Sequence, residues 1–327
     1  MLWNLSWPWV MMKYKHSQIL LLFTAVVLSL ISNLIFAANI QHKLTNADCR
    51  VFDKTYSDSN SVAKYSDALL WKVSKAGNSS SYIFGTIHVS DPEITNLPEA
   101  VKSALNKSGT FVMEALPNPE DVLTLSQMMF YADGTTLSEY LDDELFLRTA
   151  KVLSAFQLPV EAVAIMRPWA AFLMMNYPAD NSMPLDLKLL EIAMSKGAKT
   201  AGLETLSEQG AVFSEMALDD QLRLLLDTVC NYNLVAQGIE EMKQFYLEKD
   251  LNGLLAASAQ HPYADEPLYK ELSKRLLTDR NKLMIDRMQP FLQKGDAFIA
   301  VGALHLPGDD GIIENLNQQG YEITAIY

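Results

Sequence analysis

Two copies of one short pattern place a histidine three residues after a glycine that ends an apolar run. The segment "YIFGTIH" contains Gly85 and His88, and "FIAVGALH" repeats that spacing with Gly302 and His305. Glycine at a strand end permits a tight or positive-φ backbone, or the close approach of another group. In open α/β sheets, ligands bind at the loops that follow the strands. The repeat therefore predicts that two imidazoles meet at one rim of a sheet.

Three carboxylates accompany these histidines near the ends of predicted elements. Glu114 closes the apolar run "TFVM", Glu204 ends "TAGLE", and Asp186 opens the helical segment "LDLKLLEIAM". A carboxylate at the end of so apolar a strand requires an arginine, a helix N-terminus or a metal ion to compensate for its lost hydration. Structural pairing of the two glutamates and helix capping by Asp186 are the plainer interpretations.

His88, His305 and Glu114 together form a ligand set suited to a divalent metal ion such as manganese, cobalt or zinc. Two neutral imidazoles and one carboxylate leave positions open for water, and a metal ion lowers the pKa of water and polarises a carbonyl. Asp186 and Glu204 would then orient ligands or act as a general base. The pattern favours hydrolysis, and the absence of H-E-x-x-H and G-x-S-x-G excludes the commonest zinc-protease and serine-hydrolase arrangements.

Further polar candidates lie on predicted helices. Arg167 in "MRPWAAF" is a candidate for contact with a substrate or with a buried carboxylate, and a structural role at a helix start is the alternative. Arg280 and Asn281 in "TDRNKLM" lie on a helix, where a solvated face is the plainer expectation.

The charge of the chain limits its partners. The 327 residues carry a formal net charge of −13, and 49% of them are hydrophobic. This composition supports a sizeable core. The acidic balance, without a basic patch interleaved with aromatic residues, argues against nucleic-acid binding.

The N-terminus predicts export. Lys13 and Lys15 precede an uncharged apolar run at residues 19–38 that ends in small residues, which is typical of a secretory signal peptide. We expect residues 1–38 to be cleaved near Ala37 or Ala38, or to remain as a membrane anchor. The rest of the chain would be periplasmic or otherwise extracytoplasmic, and this segment would make its only membrane contact.

The cysteines are consistent with an oxidising compartment. Cys49 and Cys230 are the two cysteines of the chain. In an exported protein they form a candidate disulfide, with two unpaired thiols as the alternative. Neither has the neighbouring cysteine or histidine that a metal site would need.

The order of predicted elements indicates an α/β fold. Residues 39–67 form an extended lead-in, residues 68–73 and 82–88 a hairpin, and residues 109–116 a strand after a helix. Long helical stretches follow, interrupted by a short strand at residues 199–204, and the chain closes with strand, helix and strand. We expect one domain at residues 68–327, with a mixed sheet formed by the N- and C-terminal G-x-x-H halves and a large helical insertion.

These segments resemble, in chain order, the TraB/GumN family. The resemblance covers residues 68–327 and is carried by "YIFGTIHVSDP", "FVMEAL", "GLETLSEQ", "DRN" and "FIAVGALHLPGDDG". It implies a fold related to erythromycin-esterase-like and ChaN-like proteins. Through the TIKI members of the family, it also implies divalent-metal-dependent proteolysis, with metal ligation by His88, His305 and Glu114 and recurrent polar positions at Glu204, Asp186, Arg280 and Asn281.

Two functions therefore follow from the sequence. One is an exported metal-dependent hydrolase that cleaves a peptide or protein substrate. The alternative is a non-catalytic protein that binds a peptide, a signal molecule or haem at the same rim.

Overall fold

The computed structural model describes residues 43–51, 62–179, 182–259 and 263–327, and a single mixed sheet lies at the centre of this part of the chain. Its strands are β1 Leu70–Ser74, β2 Ser81–Thr86, β3 Thr110–Ala115, β4 Lys199–Glu204, β5 Ala297–Gly302 and β6 Glu322–Ala325. Across the sheet they lie in the order β4–β3–β5–β2–β1–β6. Strands β4, β3, β5 and β2 pair in parallel, and β1 is antiparallel to both β2 and β6. The predicted α/β class is confirmed.

Strands β3 and β5 form the middle of the parallel part. Every residue of β3 is buried, and every residue of β5 except Gly302 is buried. Strands covered on both faces are continuous apolar runs rather than alternating ones. This explains the sequences "TFVM" and "AFIAV".

The two G-x-x-H strands are neighbours. Strands β2 and β5 pair in parallel, with Gly85 opposite Val301 and Thr86 opposite Gly302. Their carboxyl ends therefore lie at the same edge of the sheet, as the repeat predicts. The hairpin of β1 and β2 is also present.

Helices make up most of the remaining described chain, mainly between β3 and β4 and between β4 and β5. In chain order they are α1 Pro92–Thr95, α2 Glu99–Lys107, α3 Pro119–Met129, α4 Asp143–Leu153, α5 Val160–Ala164, α6 Pro168–Met175, α7 Leu185–Ser195, α8 Leu206–Ser214, α9 Leu218–Cys230, α10 Tyr232–Glu248, α11 Leu251–Ser258, α12 Pro267–Ser273, α13 Arg280–Lys294 and α14 Ile312–Gln318. A π-helical turn, Lys274–Asp279, joins α12 to α13. The insertion is thus divided by β4.

The described chain has two clusters of buried apolar side chains. The first surrounds the sheet and includes Phe111 and Phe298. The second lies within the helices and includes Leu145 of α4, Trp169 of α6 and Leu225 of α9. The helical insertion therefore has a core of its own.

A short N-terminal segment is attached to the helical core. In this strap (residues 43–51), Cys49 is joined to Cys230 by a disulfide. The Arg50 guanidinium pairs with Asp227, whose side chain is 3% exposed. Leu44 also forms a parallel β-bridge with Leu141. The strap is held at several points by residues far away in the sequence.

The predicted leader at residues 1–38 lies outside the described residues, as does much of the lead-in at residues 39–67. Among the helices of the described residues, none is long and apolar enough to span a bilayer.

Candidate active site

Both strand-end glycines allow another group to approach closely. A Cβ on Gly85 would lie 2.8 Å from Leu306 Cδ1 and 3.0 Å from Ala303 Cα. A Cβ on Gly302 would lie 3.0 Å from Glu114 Oε1 and 3.3 Å from His305 Cδ2. Neither glycine has a positive φ. The close approach of another group, and not a positive φ, therefore accounts for glycine at both positions.

The imidazole of His88, two residues after β2, is held through its Nδ1 atom. Its Nδ1 lies 2.7 Å from Asp186 Oδ2, and the hydroxyl of Thr86 donates to Asp186 Oδ1 at 2.5 Å. The His88 side chain is 45% exposed, and its ring centroid is 5.9 Å from that of Tyr177. The ring is thereby oriented, and its Nε2 has no hydrogen-bond partner within the described chain.

His305 is held in the same way, but it is buried. It lies in a short 3₁₀ turn, Ala303–His305, directly after β5. Its Nδ1 is 2.6 Å from Asn281 Oδ1, and the Asn281 amide donates to Asp310 O at 2.8 Å. Its Nε2 lies 3.5 Å from Glu114 Oε1. Asn281 is 3% exposed, so it does not lie on the solvated helix face that the sequence suggests.

A buried network of polar side chains lies next to His305. The Arg280 Nη2 donates to Glu114 Oε2 at 2.6 Å and to Glu204 Oε2 at 2.7 Å. Gln209 Nε2 lies 3.2 Å from both carboxylates, and the Gly302 N–H donates to Glu114 Oε1 at 2.5 Å. The side chains of Arg280, Glu114 and Glu204 are 14%, 9% and 2% exposed. Arginine thus provides the compensation that two buried carboxylates require.

The network keeps Glu114 ionised. Burial opposes its charge, but His305, Arg280, His88 and the Gly302 N–H outweigh burial and lower the pKa of Glu114 to about 2. Glu114 is therefore a carboxylate at neutral pH. Each of its oxygens retains the capacity to accept more than one partner.

The two histidines titrate in opposite directions. Burial opposes the charged form of His88, but Asp186 and Glu114 raise its pKa to about 9. Burial lowers the pKa of His305 to about 4, aided by Arg280 and His88 and opposed by Glu114. His305 is neutral at pH 7, with its Nε2 lone pair directed to the Glu114 side.

The donor chemistry of the site fits a divalent metal ion. His88 and His305 each have Nδ1 held by an acceptor, which is the arrangement that orients metal-bound histidines. His305 is neutral at pH 7, whereas His88, with a pKa of about 9, would release its Nε2 proton on binding a metal ion. Glu114 adds a charged oxygen donor. As the side chains stand in the described residues, no group of three His, Cys, Asp or Glu side chains is close enough together to enclose an ion.

Asp186, Glu204 and Arg167 have different surroundings. Asp186 contacts His88, and its side chain is 13% exposed. Glu204 is enclosed by Arg280 and Gln209. Arg167 immediately precedes α6 and lies over the Tyr131 ring, 4.5 Å from its centroid, rather than in the carboxylate network. The structure thus brings Asp186 and Glu204 to the candidate site and places Arg167 in the helical insertion.

Three further side chains reach the site without having been proposed from sequence. Gln209 bonds both carboxylates, and its only sequence signal was its place in "GLETLSEQ". Thr86 orients Asp186. Tyr177 faces His88; partial burial, Glu114 and Asp186 raise the pKa of Tyr177 to about 12. Thr86 is a variable position of the first G-x-x-H motif, and no motif includes Tyr177; the contacts of both come from distant elements.

Comparison with known proteins gives one family and several relatives. The sequence pattern described as the TraB/PrgY/gumN family matches residues 69–325. Metalloprotease TIKI2 of Danio rerio is 24% identical over 335 residues, which cover 85% of this chain and 64% of that protein. Metalloprotease TIKI1 of Danio rerio is 23% identical over 315 residues, covering 79% of this chain and 63% of that protein.

A third relative extends the same group. Metalloprotease TIKI2 of Xenopus tropicalis is 24% identical over 312 residues, covering 79% of this chain and 59% of that protein. The chain spans about three fifths of the length of these curated relatives. No solved structure gives a significant match.

Proposed function

The chain belongs to the TraB/PrgY/gumN family, and from its site we propose that it is an exported, divalent-metal-dependent peptidase. One observation carries the proposal. Two imidazoles follow adjacent parallel strands and are each held through Nδ1, and the Nε2 of His305 lies 3.5 Å from the ionised Glu114. The name metalloprotease of the TIKI relatives supports this choice of chemistry.

His88, His305 and Glu114 are the residues that would hold the ion. Asp186 and Asn281 orient the two rings, and Arg280 keeps Glu114 in place and charged. A divalent ion in such a site supplies Lewis acidity toward a peptide carbonyl and toward water. The donor set suits manganese, cobalt or zinc.

Asp186 is better placed than Glu204 to accept a proton during hydrolysis. The Asp186 side chain is 13% exposed, whereas that of Glu204 is 2% exposed and bonded to Arg280. A general base must reach water or the substrate. We therefore assign Glu204 to holding Arg280, and Asp186 to orienting His88 and to proton transfer.

Metal retention is the direct test of this function. The purified chain and its His88→Ala and His305→Ala variants would be incubated with manganese, cobalt and zinc, desalted and analysed by mass spectrometry. A His261→Ala variant serves as a histidine control. We expect near-stoichiometric metal in the parent and control, and at least tenfold less in both site variants.

Hydrolysis of a peptide library is measured on the same samples. Loss of hydrolysis together with loss of metal supports the peptidase. Normal hydrolysis by both site variants would contradict it. A chain that takes up no metal, hydrolyses no peptide and gives a Soret band with haem would instead be a binding protein.

A further inference from the structure

Tyr177 forms an exposed face beside the candidate site. Its ring centroid lies 5.9 Å from that of His88, and the two planes are inclined by 31°. Tyr177 is 40% exposed, and the His88 side chain is 45% exposed. A ligand that reaches His88 from solvent therefore meets the Tyr177 ring as well.

The backbone that carries this ring is anchored. Tyr177 lies two residues after the end of α6, and its N–H donates to Met174 O at 3.1 Å. The Asn176 amide donates to Phe172 O at 2.8 Å and lies 3.4 Å from Thr228 Oγ1 of α9. An exposed aromatic ring on a fixed backbone loses little conformational freedom when it contacts a ligand.

The hydroxyl of Tyr177 differs from those of the buried Tyr246 and Tyr321. Tyr246 donates to Gly85 O at 2.8 Å, and Tyr321 donates to Gln289 Oε1 at 2.9 Å. Within the described part of the chain, no hydrogen bond or other interaction satisfies the Tyr177 hydroxyl. The first two hydroxyls hold the fold together, and that of Tyr177 remains available as an O–H donor.

Apolar side chains are exposed in the segment that carries Asp186. Met183 is 46% exposed and Leu187 is 37% exposed, and they flank Asp186 at the start of α7. Exposed apolar side chains grouped with a few polar groups are typical of a binding surface. The segment whose Asp186 holds His88 thus exposes apolar side chains, and Tyr177 beside His88 offers an unused donor.

We propose that Tyr177 is a substrate-binding residue whose hydroxyl donates a hydrogen bond to a main-chain carbonyl of an extended peptide. Its ring contacts an apolar side chain of that peptide, next to the peptide bond that would be cleaved at the candidate site. The inference rests on the proposed peptidase function for the class of ligand. It goes beyond that function by assigning a substrate-binding residue and a preference for peptides that carry an apolar side chain at this position.

The test uses internally quenched peptides of one length that carry Leu, Phe, Gly, Ser or Asp at a single position. Tyr177→Phe removes only the hydroxyl, Tyr177→Ala removes the ring, and Tyr131→Phe is the matched control in the helical insertion. The metal content of every variant is measured first. Binding of the same peptides, labelled with fluorescein, is then followed by anisotropy on protein stripped with a chelator.

We expect Tyr177→Phe to keep its metal. Its kcat/KM should fall about three- to tenfold, which corresponds to the loss of one hydrogen bond. Tyr177→Ala should lose about thirtyfold or more with Leu and Phe peptides, and much less with Gly peptides. The Tyr131→Phe control should match the parent. Parallel losses in peptide binding would place the effect in substrate contact rather than in the metal site.

Other results would distinguish a failure of this inference from a failure of the proposed peptidase function. Peptide binding that depends on Tyr177 without any hydrolysis would preserve the inference and overturn the peptidase. Hydrolysis by both Tyr177 variants at the rate of Tyr131→Phe, with equal binding, would overturn the inference and leave the peptidase intact. A parent chain that neither binds nor cleaves any of the peptides would overturn both.

Discussion

Arg280 pairs with both buried glutamates of the candidate site. Its guanidinium contacts Glu114 and Glu204 at 2.6 and 2.7 Å, and Gln209 bonds the same two oxygens. Without Arg280, two buried carboxylates would face each other with only an amide between them. Arginine suits this position because its planar fork can bond two carboxylates at once.

Replacing Arg280 by Ala should therefore destabilise the protein by about 3–5 kcal/mol, the usual cost of leaving a buried charge without its partner. Arg280→Lys keeps the charge but loses the fork, so its cost should be smaller. The measurement is the free energy of unfolding in urea.

Arg275→Ala is the matched control, because Arg275 pairs with Glu271 at a site where the two side chains are 31% and 48% exposed. Such a surface pair contributes about 0–1 kcal/mol. Equal losses for Arg275→Ala and Arg280→Ala would contradict the account of the buried network.

At the scale of elements, a side chain of α3 holds the start of α8 beside the candidate site. Asp121 of α3 accepts hydrogen bonds from the backbone N–H groups of Leu206 and Ser207 and from the Ser207 hydroxyl. Leu206 and Ser207 begin α8, which carries Gln209 into the carboxylate network. Burial opposes the charge of Asp121, but these hydrogen bonds lower its pKa below the ordinary value.

Asp121 should therefore make the protein sensitive to acid. A carboxylate with a lowered pKa in the folded state stabilises the protein above its unfolded pKa of about 3.9, and loses this effect as the pH falls through the folded value. Asp121→Asn should cost about 1–2 kcal/mol at pH 7. The difference between parent and variant should shrink as the pH falls below the unfolded value.

The measurement is urea unfolding of both proteins from pH 7 to pH 2.5, with Glu120→Gln as a neighbouring control. A constant difference across this range would show that the Asp121 charge is not responsible.

The whole molecule combines a sheet core and a helical core, and the strap (residues 43–51) is tied to the helical core. The disulfide between Cys49 and Cys230 spans 181 residues of sequence. Arg50 pairs with Asp227 on the same helix, α9, and the Asn231 amide donates to Arg50 O at 2.8 Å. A disulfide across so long a loop removes much conformational freedom from the unfolded chain.

Removing the disulfide should lower the free energy of unfolding by about 2–5 kcal/mol. The double variant Cys49→Ser/Cys230→Ser and the parent treated with a reductant should behave alike in urea unfolding. Chain purified after export should contain no free thiol until it is reduced, whereas chain produced in the cytoplasm without residues 1–38 should contain two. Two free thiols in the exported chain would contradict both the bridge and the proposed compartment.

Local pattern predicted a large part of the fold. The apolar runs before Gly85 and Gly302 and at residues 110–113 form buried parallel strands, because strands covered on both faces must be continuously apolar. The same signals placed Glu114 at a strand end and both histidines at the carboxyl edge of the sheet. Each of these features depends on residues within about one element of each other.

The sequence pattern could not predict which side chains from different helices and strands contact each other. Asp186 contacts His88 over 98 residues of sequence, and Arg280 contacts Glu114 over 166. On sequence alone, helix capping is the plainer interpretation of Asp186, and a solvated face that of Arg280. The packing of helices against the sheet determines these pairings, and helical periodicity does not specify which helices pack together.

The amino-acid sequence by itself determined the strands, their turns and the residue types able to bind a metal ion, because burial and turn formation are local properties of the chain. Only the tertiary structure decided that Asp186 and Asn281 orient the two imidazoles, that Arg280 pairs with two glutamates, and that Tyr177 faces His88. Those contacts join residues from separate helices and strands. Their geometry is set by long-range packing, which no short segment encodes.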